Sequence, residues 1–259
     1  MTRKLVLITG ASSGIGAATA KRYGAAGAHV LLLARNTERL QRVAEEIRGS
    51  GGTASAHPID LADAEAVTEL AARVTTETGT PDVIVNNAGA GHWRSILATT
   101  PEDARKMMDV PYLAAFYVSR AFLPAMVARG SGRIACITSP AAYLAWADAC
   151  AYIAARHAMK GLAEAMRADL RGTGVSVTLV VLGTVETPYW EHNPGSREHL
   201  PPSTPRLIKT LTAEEAAEAI LEGTEAGRRA VVKPGIFRAI FLANALFPGF
   251  VARRLRRKP

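Results

Sequence analysis

The sequence predicts an α/β fold, a single domain built on a doubly wound parallel sheet with helices on both faces. Three observations carry this. Short, continuously apolar runs alternate with stretches whose apolar residues recur at three- and four-residue spacing. Continuous apolar strands separated by helices are the pattern of a parallel sheet covered on both sides. A glycine-rich turn, Gly10 to Gly16, joins the first run to the first helical stretch.

The elements follow in order. The apolar run "LVLIT" (5–9) leads to a helix over about 14–27, and "HVLLLA" (29–34) to a helix over about 37–49. "ASAHPID" (54–60) and "DVIVNN" (82–87) flank a helix over about 63–78. A long helix over about 101–129 precedes "RIACIT" (133–138), and a second over about 148–171 precedes "VSVTLVVLG" (175–183). Pro111 falls inside the first long helix. It removes one N–H, frees the carbonyl of Met107 and predicts a kink there. Pro188 to Pro205 contains five prolines, so residues 186–206 read as a lid or insertion outside the core. A helix over about 213–226 leads to a last short strand, "RAVVK" (229–233). No internal repeat or linker divides the 259 residues.

Composition narrows the class. Hydrophobic residues make up 48%, ample for a buried core, and charged residues 21%. The formal net charge is +8, but Arg253, Arg254, Arg256, Arg257 and Lys258 supply five of it, leaving +3 for the body. The body is therefore no nucleic-acid surface. Cys136 and Cys150 form neither a CxxC pair nor a zinc spacing with histidine, so no metal site is expected. Two thiols without a disulfide framework suit a reducing cytoplasm. The run before Thr9-Gly10 is too short for a signal peptide, and no uninterrupted apolar stretch is long enough to span a bilayer.

"TGASSGIG" (9–16) sits between a strand and a helix, the context that gives a glycine pattern its meaning. Gly10, Gly14 and Gly16 permit a tight turn and close approach of backbone to a pyrophosphate. The helix start behind them, with Ser12, Ser13 and Ile15, offers unpaired N–H groups and partial positive charge. This is the phosphate turn of a Rossmann-type sheet. The second strand ends Ala34-Arg35-Asn36, where an NAD site places a carboxylate on the ribose. Arg35 can instead pair with a 2′-phosphate, helped by a Ser12 or Ser13 hydroxyl, so NADP(H) is the expected cofactor. The competing reading of Arg35 is a solvated surface arginine.

Together "TGASSGIG", Asp60 after the third strand, "NNAG" (86–89), and Ser139 thirteen residues before Tyr152 resemble the short-chain dehydrogenase/reductase family over nearly the whole chain. "LGTVET" (182–187) is similar to the family's segment after the sixth strand, with Leu182 where proline is usual. The resemblance implies cofactor contacts at Gly10, Ser12, Ser13, Gly14, Ile15, Gly16, Arg35, Asp60, Asn87, Ala88, Gly89, Tyr152, Arg156, Val185 and Thr187. It implies that Ser139 polarises a substrate carbonyl and Tyr152 moves the proton. The family's lysine, four residues after the tyrosine, holds the nicotinamide ribose. Here that position is Arg156, and Pro111 stands where an asparagine of the family's water relay is expected. Tyr152 and Arg156 share one helical face, one turn apart. A guanidinium there is a permanent cation with a planar fork for two ribose hydroxyls, but it does not readily release a proton. Lys160 is ~12 Å along the helix from Tyr152 at 1.5 Å per residue.

Trp146 and Tyr143 are candidates for an apolar pocket wall, His92 and Trp93 for its border. Tyr189 and Trp190 either close over substrate or pack within the lid. His157, His192 and His199 show no metal or relay pattern. "GIFRAIFLANALFPGFVARRLRRKP" (235–259) joins large apolar residues, recurring with Asn244 at helical spacing, to a basic end. It favours peripheral contact with an anionic membrane or packing on a second subunit. The expected activity is interconversion of a carbonyl and a secondary alcohol, on a small molecule that a membrane site would make lipid-like. A homodimer or homotetramer is expected through the two long helices. Two readings stay open beside it. One is different chemistry on the same fold, such as imine reduction, cyclisation or epimerisation. The other is a nucleotide-binding protein without turnover.

Overall fold

The computed structural model describes residues 3–201 and 208–255. Parts of two expected features, residues 202–206 of the Pro-rich segment and 256–259 of the basic tail, lie outside the described residues, as do residues 1–2.

The first half is β1 (Leu5–Thr9), α1 (Gly14–Ala25), β2 (His29–Ala34), α2 (Thr37–Gly49), β3 (Thr53–Pro58), α3 (Ala64–Glu77) and β4 (Val83–Asn86). The second half is α4 (Pro101–Met108), α5 (Ala114–Arg129), β5 (Gly132–Thr138), α6 (Cys150–Asp169), β6 (Val175–Leu182), α7 (Tyr189–His192), α8 (Ala213–Glu225), β7 (Ala230–Lys233), α9 (Ile236–Leu246) and α10 (Pro248–Leu255). All seven strands are parallel, in the order β3-β2-β1-β4-β5-β6-β7. The chain starts at the centre, winds outward to β3, and returns to build the other half from β4. The reversal point lies between β1 and β4, where a Rossmann-type sheet opens its ligand crevice at the carboxyl ends of the strands.

The period-2 pleat sends alternate residues of each strand to opposite faces. Leu5, Leu7, Leu31, Leu33 and Ile84 join one core, under α3, α5 and α6. Val6, Ile8, Val30, Leu32 and Val85 join the other, under α1, α2 and α8. Both faces are covered, which is why the strands read as unbroken apolar runs.

The expected helix over 101–129 is broken where proline predicted. Val110 adopts φ −136° and ψ 107°, and a π-type turn, Asp109–Leu113, separates α4 from α5. By length and composition alone Pro101–Arg129 could cross a membrane, although Arg105, Lys106, Asp109 and Arg120 interrupt its apolar residues. Its apolar residues have a nearer use. Ala114, Ala115, Val118, Phe122 and Met126 face the sheet and are buried in the core.

Candidate functional site

A cleft of about 2380 Å³ opens along the carboxyl ends of the strands. Its floor at one end is the glycine turn. Gly10 and Gly14 take φ +65° and +52°, conformations that a side chain resists. A Cβ at Gly10 would lie 2.9 Å from Ala88 Cα. Gly16 does not line the cleft. A Cβ there would meet Gly10 O at 2.1 Å and Asn87 Nδ2 at 2.6 Å, so it lets α1 pack tightly against the turn. Ser13 caps α1 without a side-chain bond to it, leaving the helix N-terminus open toward the cleft.

Asn87 stitches the turn to β4. Its Nδ2 donates to Thr9 O at 3.0 Å, and the backbone N–H groups of Asn87 and Ala88 both donate to Thr9 Oγ1 at 2.9 Å. Ser12, Ile15, Arg35, Asp60, Ala88, Gly89, Val185 and Thr187 line the same cleft. Arg35 is exposed, and among the described residues no carboxylate pairs with it. The sequence reading missed Arg39, one helical turn further on, which also lines the cleft. Its Nη1 lies 3.0 Å from His192 Nε2, across the cleft from α2 to α7. A second arginine in the first turn after Arg35 was the available signal. The partner was not foreseeable, because it lies 153 residues away.

At the other end Ser139, just after β5, faces Tyr152 on α6. Tyr152 Oη donates to Ser139 Oγ at 3.0 Å, and Ser139 Oγ also accepts the Ala141 N–H at 3.2 Å. The helical spacing works as expected for Arg156, whose guanidinium sits 4.8 Å over the Tyr152 ring. Arg156 is only 8% exposed, and its Nε has no hydrogen-bond partner. It runs beneath Gly89, where a Cβ would come within 3.0 Å of its Nη2. Lys160 points elsewhere, over the Tyr143 ring at 5.0 Å and toward Glu164 at 3.4 Å. His157 is exposed and bonds its own helix at Ile153 O.

All three tryptophans of the chain meet beside Tyr152. Trp93 is the centre. It is 6% exposed, with ring centroids 4.8 Å from Tyr152, 5.5 Å from Trp146 and 6.0 Å from Trp190. Trp146 lines the cleft as expected. Tyr143 does not; it turns away and stacks on Phe241 of α9 at 4.2 Å. The apolar α9, whose path the sequence did not reveal, draws it there.

The segment after Thr187 covers this end. Tyr189 Oη accepts from Trp93 Nε1 at 3.0 Å, and Trp190 Nε1 donates to Val185 O at 3.1 Å. Gly91 N–H donates to Asn193 Oδ1 at 3.1 Å, and Ser196 Oγ donates to Gly91 O at 3.3 Å. Asn193 and Ser196 are buried, although the segment's composition read as wholly outside the core. Burial pushes Tyr189 well above the ordinary phenol range, and Tyr152 beside it adds to the rise, with Arg156 opposing. Tyr189 therefore stays protonated. Among the described residues no group of three or more His, Cys, Asp or Glu gathers as metal ligands would.

The site fits a dinucleotide on its own features, with a glycine turn that excludes side chains, an open helix N-terminus, and a buried guanidinium with an unused donor. Comparison with known proteins agrees. The family profile described as short chain dehydrogenase matches residues 4–197. An uncharacterized oxidoreductase of Mycobacterium tuberculosis is 35% identical over 256 residues, covering 96% of this chain and 72% of its own length. A fatty acyl-CoA reductase of Acinetobacter baylyi is 34% identical over 220 residues, covering 84% of this chain and 72% of that protein. The crystal structure of a metagenomic short-chain oxidoreductase in complex with NADP superposes with a TM-score of 0.75 at 32% identity, covering 88% of this chain and 95% of that one.

Proposed function

The chain belongs to the short-chain dehydrogenase family of NAD(P)-binding oxidoreductases, and from that premise we propose that it is an NADP(H)-dependent reductase interconverting a carbonyl and a secondary alcohol. The observation that carries this reading is the Tyr152 Oη–Ser139 Oγ bond of 3.0 Å at the floor of a cleft continuous with the glycine turn.

Gly10, Ser12, Ser13, Gly14 and Ile15 would hold the pyrophosphate, with Asp60, Ala88, Gly89, Val185 and Thr187 lining its path. Arg35 and Arg39 would take the 2′-phosphate, which is why NADP(H) is preferred to NAD(H). When bound, the cofactor supplies or accepts the hydride. Ser139 and Tyr152 then direct two hydroxyls at one carbonyl oxygen, and Tyr152 gives it the proton. Arg156 acts as a fixed cation beside Tyr152, with its unpaired Nε–H and its two amino groups available to ribose hydroxyls. Trp93, Trp146 and Trp190 exclude water from the reacting centre. The metagenomic relative's NADP and the Acinetobacter relative's fatty acyl substrate are consistent with NADP(H) and with an apolar substrate.

The second reading, a nucleotide-binding protein without turnover, is favoured by one observation, the arginine at 156. A panel of ketones, aldehydes, imines and acyl thioesters assayed with NADPH and NADH tests both. Turnover of a ketone or aldehyde with NADPH supports the proposal. Tight NADPH binding with no turnover of any member refutes it, and turnover of an imine alone assigns other chemistry. Assembly through α5 and α6 is part of the proposal, with Phe116 and Val127 exposed on α5. A monomer in sedimentation at micromolar concentration would remove that part.

A further inference from the structure

The large apolar side chains left exposed are concentrated at the C-terminal end of the described chain. Ile236, Leu242, Leu246, Phe247 and Phe250 are each 47–64% exposed. Helix α9 has two distinct faces. Phe237 is buried, Phe241 stacks on Tyr143, and Asn244 Nδ2 donates to Tyr143 O at 3.0 Å. Arg238, Leu242 and Leu246 are exposed. On helix α10 Val251 is buried and Phe250 is exposed. The Arg254 guanidinium lies over the Phe250 ring at 5.3 Å, so a cation and an exposed aromatic share one face.

The charge on this segment is of one sign. From Ile236 to Pro259 the sequence contains no Asp or Glu, while Arg238, Arg253, Arg254, Arg256, Arg257 and Lys258 are basic. An isologous contact of this face with a second copy would bring two sets of cations together with no carboxylate of the segment to offset them. An anionic lipid surface is complementary to both features, since it takes apolar side chains below its headgroups and cations among them. The helices, 11 and 8 residues long, would lie on that surface. At 1.5 Å per residue they reach about 17 and 12 Å, well short of a hydrocarbon core of about 30 Å.

The same pair closes the cleft. Ile240 and Ala243 of α9 and Phe250, Val251 and Arg254 of α10 line it, so the exposed Phe250–Arg254 pair borders the cleft while Leu242, Leu246 and Phe247 do not. One pair of helices is thus both an outward apolar and basic face and an inward wall of the candidate active site. We infer that α9 and α10 dock on anionic membrane and that the substrate is a membrane-partitioning carbonyl compound or alcohol, reaching Tyr152 past this wall. The docking stands on the surface alone; the substrate class rests on the reductase reading above.

The test uses the full chain with vesicles of phosphatidylcholine alone or mixed with phosphatidylserine. Wild type should sediment with the mixed vesicles, and less so as salt rises, because exposed charges are screened over ~10 Å at 0.1 M. Leu246→Asp with Phe247→Asp, two positions outside the cleft lining, should reduce that binding at least tenfold. The double variant should keep NADPH affinity and turnover of a short soluble ketone, and should lose severalfold in kcat/KM for a long-chain ketone supplied in vesicles. Wild type remaining in the supernatant with both vesicle types overturns the docking, as does undiminished binding of the double variant. A wild-type dimer that the double variant converts to monomer, with vesicle binding in neither, assigns the face to a second copy and also overturns it. Vesicle binding with turnover of soluble and long-chain ketones at equal kcat/KM supports docking and overturns the substrate class. Vesicle binding with no carbonyl turnover at all traces the failure to the reductase reading.

Discussion

Alanine at position 91 should release the cover of the site while leaving the sheet intact. A Cβ built on Gly91 would lie 1.6 Å from Tyr189 Oη and 2.4 Å from its Cζ, so the ring must swing out. That costs the 3.0 Å bond from Trp93 Nε1, worth about 0.5–1.5 kcal/mol. It also costs the edge-on contact with Trp190 at 5.2 Å, worth about 0.5–1.5 kcal/mol. The sum, about 1–3 kcal/mol, shifts the docked-to-open ratio of the segment roughly 5- to 150-fold. The bonds of the Gly91 N–H to Asn193 Oδ1 and of Ser196 Oγ to Gly91 O lie on that side and loosen with it. All three tryptophans sit in the affected cluster, so intrinsic emission reports on it directly. Gly91→Ala should shift emission to the red and raise acrylamide quenching, with far-UV circular dichroism unchanged. The loss in kcat/KM should be about tenfold, within the same free-energy range. Unchanged emission and quenching would refute the reasoning that Gly91 seats this segment.

Three further outcomes are expected. Arg35→Ala and Arg39→Ala should each weaken NADPH binding ~10- to 100-fold, the worth of a charge-assisted contact of about 1.5–3 kcal/mol, with NADH little changed; titration of both cofactors checks this. Thiol labelling of the native protein should modify the exposed Cys150 and spare Cys136, which is fully buried with its thiol pushed up to about 12, until the chain unfolds; two equally fast thiols would contradict the packing. Burial, then Arg73, holds His57 below its ordinary 6.5, so the unfolded chain binds that proton first and stability should fall as pH drops below about 6.5. Thermal melts across that range should show a shallower fall for His57→Gln.

The parts of this account that were legible in sequence are those fixed by local rules. Apolar runs such as "LVLIT" and "HVLLLA" are strands because both faces of the sheet are covered, and the glycine turn declares itself by its place between strand and helix. Pro111 announced the break between α4 and α5, because its missing N–H acts on its own helix. Tyr152 and Arg156 follow from a helical repeat of four. What failed to show depends on distant partners. Trp93 becomes the hub of the pocket only once α7 arrives from nearly a hundred residues away, and Asn193 is buried only because it meets Gly91. Tyr143 read as pocket wall because it lies between Ser139 and Tyr152, yet it stacks on Phe241 of α9. A Pro-rich composition likewise could not reveal that Ser196 reaches the backbone of Gly91.

The central claim is that Tyr152, set by Ser139 and Arg156, moves the proton in an NADPH-dependent reduction. The direct measurement is steady-state turnover of Tyr152→Phe beside wild type on the carbonyl substrate that the panel identifies, together with NADPH affinity. The substitution removes one hydroxyl from the 3.0 Å pair and leaves the ring against Trp93. The account predicts a fall in kcat of roughly 10²–10⁴, the usual worth of a positioned acid, with NADPH affinity within about threefold of wild type. Full activity in Tyr152→Phe would contradict it and place the chemistry on another group of the cleft.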